Sequence, residues 1–325
     1  MAGLLRSLAT YAGFSNGRAW DPETDLPDLT GKVAIVTGGN DGIGFITVKA
    51  LHRKGCKVYL ACRSEEKARN AIERLNTAHP GSEGALVFLP FDLTELATAK
   101  KAAQTVQAAE TRLDIIVCNA GVMAWPYELK NGVELQFWNH LGHFALVQPL
   151  IPLLKKTAKE PGASVRVVSV ASMGHQMSPK PDFTSLEGVN RKMASTWVRY
   201  GQSKLANVLF AVALQERLQG DNIRVNSLHP GVVNTSLMRG PVASYGFFFR
   251  MIGSAQHHFL MTPDDGAKTQ IYLAASPEVD EKDYRGQYFV PIATPAAPSA
   301  YGQDKELAEQ LWKLSEDLVK QLGPA

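Results

Sequence analysis

Tyr200 and Lys204 stand four residues apart in Tyr200-Gly201-Gln202-Ser203-Lys204. On a helix that spacing puts both side chains on one face. An ammonium beside a phenol favours tyrosinate and lowers the phenol pKa. Such a tyrosine can pass a proton to or from a substrate oxygen near neutral pH. The pair alone says little, because many helices carry one by chance, and a surface pair is the plain alternative. A second group of residues lies far upstream. Thr37-Gly38-Gly39-Asn40-Asp41-Gly42-Ile43-Gly44 follows the apolar run Val33-Ala34-Ile35-Val36 and opens a helical stretch. Gly38 permits a tight turn, Gly42 lets the backbone approach a pyrophosphate, and Gly44 allows close helix packing, with the helix N-terminus facing the phosphates. Asp41 would repel those phosphates unless it points to solvent. The next strand-like run ends Ala61-Cys62-Arg63-Ser64, with no acid before Glu65. An acid there would bind the ribose hydroxyls of NAD, whereas a guanidinium suits the 2′-phosphate of NADP. Arg63 therefore argues for NADP(H), the alternative being a solvated surface arginine.

These residues need a scaffold, and the hydrophobic pattern supplies one. Short β-branched runs at 33–37, 57–61, 85–89, 113–118, 164–170, 224–228 and 287–290 read as buried strands. Helical stretches at 43–54, 65–75, 96–110, 132–154 and 197–219 fall between them. Strand–helix alternation with short connectors predicts an α/β fold: one Rossmann-like, doubly wound parallel sheet with helices on both faces. Residues 1–29 read as an N-terminal extension, residues 30–300 as one dinucleotide-binding catalytic domain, and residues 301–325 as a C-terminal helix. Leu307, Leu311, Leu314, Leu318 and Leu322 make one stripe on that helix, expected to dock on its own domain. Residues 236–262 break the alternation with Met238, Tyr245, Phe247, Phe248, Phe249, Met251, Phe259 and Met261. They follow the sixth strand, where substrate loops of such folds gather.

Composition narrows the function classes. A net charge of +3 gives no reason to expect nucleic acid as a partner. The three cysteines, Cys56, Cys62 and Cys118, are odd in number and lack CxxC spacing, so buried free thiols in a reducing compartment are expected. His140 and His143 have helical spacing but lack a third ligand, so no metal site is expected. Asp264-Asp265 reads as a helix start. The uncharged run Leu135–Leu154 holds Asn139, two histidines and two prolines, which suits a buried helix rather than a membrane span. A cytoplasmic protein is expected, with peripheral membrane association left open.

Taken together the motifs carry a resemblance. In order they are the Thr37–Gly44 turn, Asn119-Ala120-Gly121 after strand four, Asn139, Ser172, Tyr200 with Lys204, and Pro230-Gly231 after strand six. The chain resembles the short-chain dehydrogenase/reductase family over about residues 30–292. It is most similar to the retinol dehydrogenase-like and carbonyl reductase-like branch in Val58–Arg63, Asn139-His140-Leu141-Gly142-His143-Phe144, Ser203–Asn207 and His229–Val233. The resemblance implies that Tyr200 is the proton donor in reduction and the base in oxidation. Lys204 would lower its pKa and hold the nicotinamide ribose. Ser172 would hydrogen-bond the substrate oxygen, with Ser169 as the rival serine. Asn139 would support a water chain to Lys204. Cofactor contacts are implied at Gly38, Asn40, Gly42, Ile43, Gly44 and Arg63, at Asp92, which would touch the adenine, and at Leu93, Ala120, Gly121, Pro230, Gly231 and Val233. Asn119 would support the central strands and the cofactor, and Thr235 would face the nicotinamide carboxamide or the phosphates.

The chain departs from the family pattern at Cys118, where an asparagine is usual, at Ala171-Ser172, and in a long interval before Tyr200 that places an insertion at about 177–195. The expected activity is NADP(H)-dependent interconversion of an apolar ketone or aldehyde and its alcohol, with transfer of the 4-pro-S hydride as the resemblance implies. The alternative is a non-catalytic dinucleotide sensor or scaffold, which would need none of Asn139, Ser172, Tyr200 and Lys204. A homodimer through the helices at 133–155 and 197–219 is open, though the C-terminal stripe could block it.

Overall fold

Val33–Thr37 is buried at all five positions. Val33 and Ile35 pack on one side, Ala34 and Val36 on the other. A strand alternates its side chains between two faces, so an unbroken apolar strand needs cover on both. The computed structural model, which describes residues 19–193, 195–233, 240–241, 243–245 and 261–323, provides that cover.

The strands are β1 (Val33–Thr37), β2 (Lys57–Cys62), β3 (Leu86–Pro90), β4 (Ile115–Cys118), β5 (Val165–Val170), β6 (Ile223–Leu228), β7 (Tyr288–Val290) and β8 (Thr294–Ala296). They form one sheet in the order β8-β7-β6-β5-β4-β1-β2-β3. All neighbours run parallel except β7 and β8. The antiparallel edge strand β8 lies beyond the last strand expected from the pattern. Pro295 sits in this edge strand, where a missing N–H is tolerated.

The main helices are α1 (Gly42–Arg53), α2 (Glu65–Ala78), α3 (Leu96–Ala109), α4 (Trp138–Val147), α5 (Thr196–Arg217), α6 (Pro263–Ala275) and α7 (Lys305–Leu322). Val48 of α1, Leu75 of α2 and Ile271 of α6 share one core. Val106 of α3, Leu141 of α4, Leu209 of α5 and Leu311 of α7 share the other. The stretch expected to be mostly helical from Gly132 begins instead with a hairpin, Leu129–Lys130 paired to Val133–Glu134. Asn131 and Gly132 at its tip have positive φ, the signature of a two-residue turn.

Residues 19–29 also join the core. Trp20, Leu26 and Leu29 are buried, and Trp20 meets Tyr272 edge-on at 5.5 Å. The α7 stripe docks as its periodicity predicts: Leu307, Leu311, Leu314 and Leu318 are buried, and Leu322 packs against the same core. Trp312 adds a second set of contacts, stacking on Phe210 of α5 and meeting Phe144 of α4 edge-on. Burying each large side chain contributes roughly 1.5–3 kcal/mol. The outer face of α4 and α5, where a dimer was open, is thus covered by the chain's own helix. The three cysteines are free and buried. Among the described residues, no helix is long and apolar enough to cross a membrane.

Candidate active site

The carboxyl ends of β1, β4, β5 and β6 converge on one edge of the sheet. There the expected residues meet. Helix α5 is capped by Ser195, whose hydroxyl accepts the Trp197 N–H, and carries Tyr200 and Lys204 inward on one buried face. Lys204 donates from Nζ to the Val170 carbonyl at the end of β5, at 2.9 Å. The same Nζ lies 5.8 Å from the centre of the Tyr200 ring. Ser172 follows on that strand, close enough to Tyr200 to act on its phenol. Its Oγ also accepts the Gly174 N–H at 3.0 Å. Ser169, the rival serine, points away and donates to the Asn207 carbonyl.

Electrostatics here differ from the simplest reading of the pair. Burial pushes the Tyr200 phenol up to about 12, with Ser172 acting in the opposite direction. Burial likewise pushes the Lys204 ammonium down to about 8. Desolvation outweighs attraction, because both charged forms lose water and the ammonium is spent on a carbonyl. Tyr200 is therefore a protonated phenol over the neutral range, the form a proton donor starts from, though a weaker acid than free tyrosine.

Asn139 of α4 sits behind Lys204. Its Oδ1 accepts the Val122 N–H at 2.8 Å, and its Nδ2 donates to the Val122 carbonyl and to Ser203 Oγ. Gly121 leaves the gap beside it: a Cβ there would lie 3.1 Å from Asn139 Oδ1 and 3.6 Å from Lys204 Nζ. Thr37 is a hub that the motif reading passed over. Its Oγ1 accepts the N–H groups of Asn119 and Ala120 at 2.8 and 2.9 Å. Its one proton then goes to His143 Nε2 at 2.7 Å, and His143 Nδ1–H donates to the Asn139 carbonyl at 2.7 Å. Burial holds the His143 ring neutral, pushed down to about 3. The four-residue spacing of Asn139 and His143 was the available sign of this contact. His140 has a different task, pairing with Ser315 of α7.

The glycine turn is shaped for a dinucleotide. Gly38 and Gly42 have φ of +66° and +56°, and a Cβ on Gly44 would fall 2.3 Å from the Gly38 carbonyl oxygen. Only bare backbone fits that cradle, which leaves Asn40, Ile43 and Gly44 around the N-terminus of α1. Asp41 caps this helix by accepting the Gly42 N–H at 2.8 Å. Arg63 is exposed at the end of β2 and makes no ion pair among the described residues. Asp92 spends Oδ1 on the Thr94 N–H and hydroxyl. Leu93 packs so closely on α4 that a Cβ at Gly142 would lie 2.3 Å from its carbonyl oxygen. Asn119 donates to the Thr37 carbonyl at 2.9 Å, tying β4 to β1. Pro230 and Gly231 follow β6, Gly231 at a φ of +94°. Val233 bridges to Met261 just before α6. Thr235 lies outside the described residues, as do Met238, Phe247, Phe248, Phe249, Met251 and Phe259. Tyr245, which is described, hydrogen-bonds Thr196 at the start of α5.

A buried ion pair that motif reading missed stands beside the site. Arg199 Nε donates to Glu134 Oε1 at 3.1 Å, and both side chains are about 95% buried or more. Arg199 also donates to the Met193 and Trp125 carbonyls. Glu134 accepts the Gln136 and Phe137 N–H groups where α4 begins. The pair thus joins α4, α5 and the end of the 177–195 insertion.

The family model for short chain dehydrogenase matches residues 32–180. Over 99% of its length the chain is 39% identical to an uncharacterized oxidoreductase of Schizosaccharomyces pombe, covering 95% of that protein. The chain belongs to the short-chain dehydrogenase/reductase family. Retinol dehydrogenase 14 of Mus musculus is 36% identical over 90% of this chain and 86% of its own length, so the similarity extends to the retinol dehydrogenase-like branch. The crystal structure of an uncharacterized protein from Mycobacterium paratuberculosis matches 93% of this chain and 98% of its own, at a TM-score of 0.71 and 29% identity. As a short-chain dehydrogenase/reductase, the chain is an NAD(P)-dependent oxidoreductase acting on CH–OH groups.

Proposed function

We propose that this short-chain dehydrogenase/reductase uses NADP(H) to interconvert an apolar ketone or aldehyde and its alcohol, with Tyr200 as general acid and base. The observation that carries the reading is the buried Tyr200 phenol, with Ser172 beside it and Lys204 four residues on along one helix face. Bound NADPH would supply the hydride, the 4-pro-S one by family resemblance. Tyr200 holds its proton until charge develops on the substrate oxygen, then gives it up. Ser172 donates a hydrogen bond to that oxygen and stabilises it as it becomes negative. Lys204 keeps a positive charge beside the phenol and offers N–H donors to a ribose, and Asn139 holds the backbone at Val122 in place behind it. The glycine cradle fits a pyrophosphate, and Arg63 offers a free guanidinium at the end of β2 for a 2′-phosphate.

An apolar substrate is supported by Trp197, edge-on to Tyr200 at 6.2 Å, and by the exposed side chains of Met177 and Tyr245. A non-catalytic sensor would have no use for the four polar residues at the ends of β5, α4 and α5. The test is NADPH oxidation with benzaldehyde, nonanal and retinal, wild type beside Tyr200→Phe. At least one carbonyl should be reduced by the wild type and the Tyr200→Phe rate should fall by about two to four orders of magnitude. Equal rates in the two proteins would remove Tyr200 from the mechanism.

A further inference from the structure

Ser172 is useful only if its turn is held still, and the turn after β5 is short. Residues Met173–Met177 form a 3₁₀ turn capped by Ser172. A turn of this kind has few hydrogen bonds of its own and poor geometry. A buried histidine inside it makes up the difference.

His175 is fully buried. Its backbone N–H and its Nδ1 both reach the Ser172 carbonyl, at 3.1 and 2.6 Å. Its Nε2 accepts the backbone N–H of Ser299 at 2.9 Å. A backbone N–H only donates, so Nε2 is the acceptor and Nδ1 carries the proton. That tautomer is the one that can grip Ser172. The ring also lies edge-on to Tyr288 of β7, at 5.0 Å between centroids. Burial disfavours a charge on the His175 ring, so the donor–acceptor pattern stays fixed.

The turn touches Tyr200 as well. A Cβ on Gly174 would lie 3.1 Å from the Tyr200 ring and 3.3 Å from Ser172 Oγ, and one on Gly201 would lie 2.6 Å from the Gly174 carbonyl oxygen. A shift of the turn therefore displaces Ser172 relative to the Tyr200 ring it packs beside.

We propose that His175 is a positioning residue: it clamps the Ser172 carbonyl to the Ser299 backbone and so holds the substrate-oxygen donor in register with Tyr200. Ser299 caps the 3₁₀ turn Ala300–Gln303 that leads into α7. Chain beyond the sheet edge is thereby made part of the active-site scaffold. The inference rests on the reading of Ser172 as the donor to the substrate oxygen.

A double-mutant cycle on the full chain tests it. His175→Phe keeps the ring on Tyr288 and removes both side-chain hydrogen bonds. Ser299→Pro removes the N–H that Nε2 accepts, at a φ of −58° that proline shares, together with the hydroxyl that accepts the Gly302 N–H. Ser299→Ala is its matched reference for the lost hydroxyl. The readouts are kcat with the carbonyl that the wild type reduces fastest, NADPH binding by fluorescence, and a urea melt. His175→Phe against wild type, and Ser299→Pro against Ser299→Ala, should lower kcat about 10-fold or more with NADPH binding unchanged. In a Ser172→Ala background the same changes should move kcat less than about twofold, because their target is gone. Equal losses in both backgrounds would overturn the inference, as would no loss in either. A His175→Phe chain that fails to fold leaves the decision to Ser299→Pro, which keeps the ring. A wild-type kcat for Ser172→Ala alone would overturn the reading of Ser172 and this inference with it, whereas a slowed Ser172→Ala with additive losses overturns this inference only.

Discussion

Lys204 donates from Nζ to the Val170 carbonyl at 2.9 Å, and its side chain is buried. That one contact fixes where the ammonium sits behind Tyr200, and burial pushes its pKa from 10.5 to about 8. In the unfolded chain the lysine stays protonated up to its ordinary value. Below about pH 8 both states carry the proton, and the folded state bears the full penalty of burying it. Between pH 8 and 10.5 the unfolded chain binds more protons, so this group makes stability rise with pH. The gain is about 3 kcal/mol across that window. Tyr200, whose ordinary value is 10.0, acts in the opposite direction only above it. Urea melts of wild type and Lys204→Met from neutral pH to pH 10 should diverge in slope above pH 8. Parallel curves would show that the amine is not buried as described.

Thr37 predicts a coupled loss. Thr37→Val keeps the shape but leaves the Asn119 and Ala120 N–H groups and His143 Nε2 without their partner. Each orphaned buried group costs about 1–3 kcal/mol. Stability should fall by several kcal/mol in denaturant melts, and NADPH affinity should drop with it. Thr37→Ser, which restores the hydroxyl, should recover most of both.

Breaking the Glu134–Arg199 pair should be worse than deleting it. Glu134→Leu or Arg199→Met alone leaves a buried charge and should cost about 3–5 kcal/mol. The double variant should cost less than the two single losses added together. Full additivity in a melt-based cycle would mean the two side chains act independently.

Arg63 carries the cofactor preference. Arg63→Ala should raise the KM for NADPH much more than the KM for NADH, because only the former presents a 2′-phosphate. Steady-state kinetics with both nucleotides measures this directly, and equal changes would take Arg63 out of that role.

Much of the molecule was legible because its signals are local. The strand runs, the Thr37–Gly44 turn and the α7 stripe each depend on neighbours within one or two turns of chain. Their outcomes match that pattern, down to a Gly44 that tolerates no Cβ. The Tyr200–Lys204 spacing likewise placed both side chains on one face. Other features resisted for a reason that is also physical. The edge strand β8 is three residues long with a central proline, so periodicity has nothing to count. The hairpin before α4 hides in a stretch that is apolar overall.

Local chemistry along the chain was enough to set the fold class, the cradle and which side chains face inward. Packing alone chose their partners: Thr37 with His143 from 106 residues away, His175 with Ser299 from 124. It also reversed the direction expected for the Tyr200 phenol. A neighbouring ammonium can be read from spacing, but loss of water depends on every element that closes over the site, and here that loss is the larger effect.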